Sequence, residues 1–239
     1  MGEQHNWLLK SVRPALLAPF EPRMRRVTLV RGQVLQQPGG AVETVCFPEG
    51  ALIGLISALP GGDVVQTAMI GWDGALGVFE ACGTRSSAFL AEVQVAGAAW
   101  LMNADDYRRL YETCEALRAA VHKYVELLLT EARQFVACNA LHSVEARLCR
   151  SVLEALDRSH DGRHLPVTQE ALAEMLGVQR TTVTAALAQL QAAGAVRGSR
   201  GVLEVIDREA LERAACCCRD TLRMARAEIY ASDHRVCDE

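Results

Sequence analysis

Residues 165–201 read LPVTQEALAEMLGVQRTTVTAALAQLQAAGAVRGSRG, and this stretch decides the fold. It spells two short helices, a tight turn and a small hairpin. Thr168 stands where a hydroxyl can accept the free backbone N–H groups of a first helical turn. Glu170 lies in that turn, where the helix dipole favours negative charge. Ala171, Leu172, Met175 and Leu176 share one helical face. Gly177 breaks the run and lets the backbone turn. A second helix starts near Gln179. Its apolar face is Val183, Ala186, Leu187 and Leu190, at i, i+3, i+4 and i+7. Gly194 stops it, and residues 196–206 form a strand, turn and strand. This is a helix-turn-helix followed by a wing.

The charges along the stretch point to double-stranded DNA. No Asp or Glu occurs between Glu174 and Glu204, whereas Arg180, Arg197 and Arg200 do. A helix lying beside phosphates must avoid carboxylates, which the backbone repels. A plain helical hairpin packed in a core would leave Gln179, Arg180, Thr181 and Thr184 unexplained, because they lie opposite the apolar stripe.

Before this stretch the pattern changes twice. Residues 1–25 form a short helical lead-in broken by Pro14 and Pro19. Short β-type runs follow at 27–30, 33–35, 45–48, 51–58, 64–70, 88–93 and 98–102. Pro38-Gly39-Gly40, Pro60-Gly61-Gly62 and Gly71-Trp72-Asp73-Gly74 punctuate them. Many short strands with Gly-rich turns predict an antiparallel barrel or jelly roll. Asn103 then starts helical sequence that runs to about His142, with a break near Thr113. Leu117, Val121, Tyr124, Leu128, Ala132 and Phe135 approximate a heptad seam on it. A single helix laid against the barrel would give the same pattern, but two copies of a DNA reader favour a dimer helix. Ser143 caps another helix over 144–158, and Asp207 caps a last one to about Ala227.

The chain has 239 residues, 50% of them hydrophobic, enough for two modest domains with real cores. The formal net charge of −4 does not mark a nucleic-acid binder, so the basic surface must be local. No signal peptide and no run of about eighteen apolar residues is visible, which predicts a soluble cytoplasmic protein without membrane contact. Nine cysteines, odd in number and irregular in spacing, read as free thiols. Cys138 and His142 share a helical face at i, i+4, but two ligands fall short of a metal site. Cys216, Cys217 and Cys218 on one helix would point about 100° apart and could not converge on one ion. The expectation is therefore no metal and buried structural thiols.

The order of β-roll, long helix and winged helix-turn-helix resembles the CRP/FNR superfamily of bacterial transcription regulators. The resemblance spans nearly the whole chain. Its most specific part is VTQEALAEMLGVQRTTVTAALAQLQAAGAV with the wing, and ACNALHSVEARLCRSVLEALDR before it also fits. It implies an α+β chain: a sensory β-roll or jelly roll at 1–112, a dimerisation helix at 113–142 and a winged helix-turn-helix domain at 143–239. It implies a homodimer joined through about 113–138, binding two-fold symmetric DNA, with RNA polymerase as a further partner. By position, Gln179, Arg180, Thr181 and Thr184 match the reading face of the recognition helix. Arg180 suits a bidentate guanine contact and Gln179 an adenine or a phosphate. Thr168 and Gln169 match the backbone-touching start of the first helix. Arg197 and Arg200 of the wing suit phosphates.

The sensory half departs from the family pattern. Cyclic-nucleotide binders carry a Gly-Glu pair and later Arg-Ser/Thr-Ala. Here Gly77 is followed by Val78, and Ser86 precedes Ser87-Ala88, with Arg85 one place early. A one-residue slip turns a side chain to the other face. Gly77, Val78, Arg85, Ser86 and Ser87 are thus the candidate effector pocket, with both charge-assisted anchors in question, and no cofactor is expected. An iron–sulfur cluster of the family's kind needs cysteines near the N-terminus, but the first is Cys46. Haem has only Cys82 to favour it. No phosphate loop, nucleophile elbow or carboxylate pair suggests an enzyme. The alternative is a ligand- or redox-sensing protein whose output is protein contact.

Overall fold

The computed structural model describes residues 6–62, 64–159, 161–199 and 201–231. Arg200 and Cys237 lie outside the described residues. Two short helices, α1 (Trp7–Lys10) and α2 (Pro14–Leu17), lead in, followed by a 3-10 turn at Glu21–Arg23. Asn6 caps α1, and its amide donates to the carbonyls of Pro48 and Gly74, tying the lead-in to the strands behind it.

Seven strands follow: β1 (Arg25–Leu29), β2 (Val34–Gln36), β3 (Thr44–Pro48), β4 (Leu52–Ala58), β5 (Val64–Ile70), β6 (Leu90–Val95) and β7 (Gly97–Asn103). They make two antiparallel sheets, ordered β1-β7-β3 and β2-β6-β4-β5. Leu29, Cys46, Ile53, Leu76, Val93 and Ala99 fill one core between them. The run Leu52, Ile53, Gly54, Leu55 and Ile56 on β4 is buried throughout. A strand covered on both faces reads as a continuous apolar run rather than an alternating one.

What covers the outer face is the C-terminal domain. Leu52, Met69 and Val95 belong to the same core as Leu148, Val152, Leu172, Leu176 and Leu187. That domain comprises α5 (Val144–Arg158), β8 (His164–Leu165), α6 (Gln169–Leu176), α7 (Arg180–Ala192), β9 (Val196–Ser199), β10 (Val202–Val205), α8 (Arg208–Ala214) and α9 (Cys218–Ala231). Its small sheet has the order β8-β10-β9. Between the two parts run α3 (Ala104–Thr113), capped by Asn103, and the long α4 (Glu115–Leu141). Cys114 is extended and breaks the helix there.

Two expectations need correction. The heptad stripe is not free for a partner along its length. Leu117, Val121 and Tyr124 are buried in the chain's own roll-side core with Phe47 and Tyr107. Gly74 makes room for Tyr124, since a Cβ there would lie 2.3 Å from its ring. The large apolar residues that α4 does leave exposed are Leu129, Val136 and, at its last position, Leu141, with Val125 half-buried and exposed Ala132 alongside the first two. Nor is the last helix continuous from 207 to 227. It stops at Ala214 and restarts at Cys218. No helix among the described residues is long and apolar enough to cross a membrane.

An ionic joint holds the three parts together. Arg158 at the end of α5 donates to Asp73 of the roll and to Glu131 of α4, both at 2.8 Å. All three side chains are about 95% buried or more. Arg226 of α9 also pairs with Glu131, and the Tyr230 hydroxyl donates to the Asp73 carbonyl at 3.2 Å. Burial alone would raise the Asp73 carboxyl, but the Arg158 and Arg226 charges outweigh it and hold it below its usual range.

Candidate nucleic-acid interface and the roll cavity

The helix-turn-helix is built as its sequence dictates. The Thr168 hydroxyl accepts from Ala171 N and caps α6. Gly177 adopts the left-handed conformation, φ 62°, that the turn between α6 and α7 requires. A Cβ there would also meet Val65 of β5 at 3.0 Å, so this turn seats directly on the roll. Val183, Ala186, Leu187 and Leu190 bury one face of α7. Arg147 of α5 donates to the Leu176 carbonyl and satisfies the end of α6.

That packing turns Gln179, Arg180, Thr181 and Thr184 outward, and all four are exposed. Thr184 Oγ1 donates to Gln169 Oε1 at 2.8 Å, which couples the two helices. A groove of about 470 Å³ runs between them and the wing, lined by Thr168, Gln169, Arg180, Gln191, Gly198 and Ser199 among others. Arg197 is exposed but lies 3.4 Å from Glu204 across the wing, so part of its charge is answered within the hairpin. Six of the eight DNA-contact candidates thus converge on one surface. Arg197 stands on the adjoining wing, and Arg200 lies outside the described residues.

One residue on this surface is not foreseen from the sequence. Arg31, between β1 and β2, donates to Thr168 Oγ1 at 3.1 Å and comes within 4.0 Å of the Cβ position of Gly201. An isolated arginine in a strand-to-strand turn carries no sequence signal of this kind. Only the docking of the domain on the roll brings it there.

Residues 146–214 match a family described as a Crp-like helix-turn-helix domain. The fold as a whole is similar to FixK2 from Bradyrhizobium japonicum, with 14% identity, 81% of this chain and 98% of that chain covered and a TM-score of 0.69. A CRP-family transcriptional regulator from Thermus thermophilus gives 18% identity, 79% and 96% coverage and a TM-score of 0.67. The c-di-GMP responsive global regulator CLP of Xanthomonas campestris gives 14%, 81% and 99%, and 0.65. No curated protein matches the sequence. The chain has the fold of the CRP/FNR transcription regulators.

A second cavity, of about 330 Å³, lies between the roll and α4. Its wall is largely apolar and includes Leu55, Ile70, Leu76, Phe89, Leu128 and Leu129. Of the five effector-pocket candidates only Gly77 lines it. Val78 is buried in the core with Leu8 and Phe47 instead. Arg85 is exposed, in a left-handed conformation at φ 62°, away from the cavity wall. Its carbonyl accepts from Val42 N, which fixes the loop in that shape. The Ser87 hydroxyl donates to the Phe89 carbonyl at 2.9 Å, and Ser86 bridges to Ala41. Among the described residues the one ionisable group in the wall is Glu80, three places beyond Gly77 and outside the family's motif. Burial raises its carboxyl, and its Oε2 finds no hydrogen-bond partner among the described residues.

Proposed function

We propose that this chain is a homodimeric, sequence-specific DNA-binding regulator of transcription, whose roll answers to something other than a cyclic nucleotide. The single observation that carries the DNA reading is the exposed, acid-free start of α7. Its Gln179, Arg180, Thr181 and Thr184 stand beside the Thr168 and Gln169 edge of α6. A dimer would place two such helices in successive major grooves. Its seam would run along Val125, Leu129, Ala132 and Val136 of α4, spaced 4, 3 and 4, which stay at least partly exposed in the monomer. RNA polymerase is the protein partner expected of such a regulator.

The cavity supports the sensory half of the reading. A cyclic phosphate is best held by a cation, and among the described residues the wall offers none, only the carboxylate Glu80. Its chemistry suits an apolar molecule carrying one hydrogen-bond donor.

Fluorescence anisotropy with DNA from the chain's own promoter, across several salt concentrations, tests the main claim. Arg180→Ala is expected to weaken the preferred site by about 1–3 kcal/mol and to relax preference at one base pair. Equal binding of the intact protein to all sequences would overturn it.

A further inference from the structure

The break between α8 and α9 brings four donors together that the sequence separates widely. Cys138 lies in the last turns of α4, and His142 is the residue at its end. Cys216 sits in the non-helical link, and Cys218 opens α9. Their ligand atoms all lie within 4.8 Å of one another. Cys138 Sγ is 3.5 Å from Cys216 Sγ, and Cys218 Sγ is 3.4 Å from His142 Nδ1. A tetrahedron with bonds of about 2.3 Å to sulfur and 2.0 Å to nitrogen has edges of about 3.8 Å between sulfurs and 3.5 Å from sulfur to nitrogen. Those two distances sit close to such edges and the others stay within 4.8 Å, so a small inward shift closes the four donors around one ion. The objection that three successive cysteines cannot converge fails for a physical reason: Cys216 is not helical, and only alternate residues 216 and 218 turn inward, while Cys217 is exposed.

We infer that Cys138, His142, Cys216 and Cys218 form a tetrahedral site for a single zinc ion. The three sulfurs are buried and His142 is partly exposed. A surface hollow lined in part by Glu209, Asp220, Cys216 and Cys217 gives an ion a way in. Four protein donors leave no open position, so the ion is structural and not a catalyst. Each thiol releases its proton to solvent as its Zn–S bond forms, which leaves the filled site with one net negative charge. The Arg150 guanidinium, itself paired with Glu154 at 2.9 Å, also exerts its positive charge on Cys138 and Cys216 and favours negative charge there. Gln134 Nε2 donates to Cys218 Sγ at 3.0 Å, the outer-shell contact that orients a thiolate ligand. A polynuclear iron–sulfur cluster would need its ligands spread around several metals, further apart than these are.

The site clips three segments at one point. They are the end of α4, the α8–α9 link and, through Cys216 N donating to the Ala146 carbonyl at 3.2 Å, the first turn of α5. His142 and Ser143, where α4 hands over to α5, lie at its centre. Zinc there would fix the angle at which the DNA-binding domain leaves the long helix.

The test is cobalt and zinc titration of the full-length reduced chain, followed by absorbance and by metal analysis of the protein as isolated. One equivalent per chain is expected, with the intense visible bands of a tetrahedral cobalt–thiolate site that zinc then displaces. Cys218→Ser and His142→Ala should abolish those bands, while Cys217→Ser and Cys82→Ser keep them. Gln134→Leu should weaken affinity about 10–100-fold. Three results would each overturn the site: no stoichiometric uptake by the intact chain, an octahedral cobalt spectrum, or a Cys138–Cys216 disulfide in place of metal. The spectrum of the unaltered chain decides the matter even if a variant fails to fold.

Discussion

Two joints fasten the DNA-binding domain to the rest of the molecule, and they are made of opposite chemistry. The first is ionic: Arg158 and Arg226 against Asp73 and Glu131. It is complete within the chain, each charge facing its opposite. The second is the thiol and imidazole cluster of Cys138, His142, Cys216 and Cys218, which the chain alone leaves open to an added ion. Both involve α4 and α9. The difference separates a permanent fastening from a conditional one.

The largest effect should come from breaking the permanent joint. Arg158→Ala leaves Asp73 buried without its main partner and strips Glu131 of one of two. Loss of one member of a buried ion pair costs about 3–5 kcal/mol, and urea unfolding should read that deficit. The conditional joint is next. Zinc at about a hundred times its dissociation constant should add about 2.7 kcal/mol. For a chain of this size that is roughly 5–10 °C in melting temperature, and a chelator should remove it while leaving the Arg158 joint intact. Acid should then separate the two differently. With its folded-state value depressed, Asp73 contributes stability that is present above the usual carboxylate value of about 4 and lost as pH falls below it. Melting of metal-free protein between neutral pH and about pH 3 should show that loss, and Asp73→Asn should flatten it.

Much of this was legible in the chain and some was not. Thr168, Gly177 and Gly194 punctuate the helix-turn-helix so strongly that local chemistry places its helices. The roll's strands follow from apolar runs between glycine turns. Partners were harder to read. An apolar stripe such as Leu117, Val121 and Tyr124 looks the same whether it faces a second chain or the molecule's own roll, and here it faces the roll. The same ambiguity hid the docking on β4, whose two apolar faces do not say what covers them. Cys138 and Cys216 are 78 residues apart, and nothing in the spacing of either announces the other. Glu80 was passed over because the family's motif places its carboxylate elsewhere.

The smallest effect belongs to Arg31, and it needs only a count of lone pairs. Thr168 Oγ1 accepts from both Ala171 N and Arg31, which uses its two acceptor positions and leaves its proton free. A DNA phosphate taking that proton would sit beside a guanidinium that belongs to the roll. The counterions released on binding would then include one contributed by the sensory half, and Arg31→Ala should lower the log–log salt slope by about one. The number of ions the DNA sheds would record whether roll and reader are still docked, so a salt titration becomes a ruler for the state of the sensor.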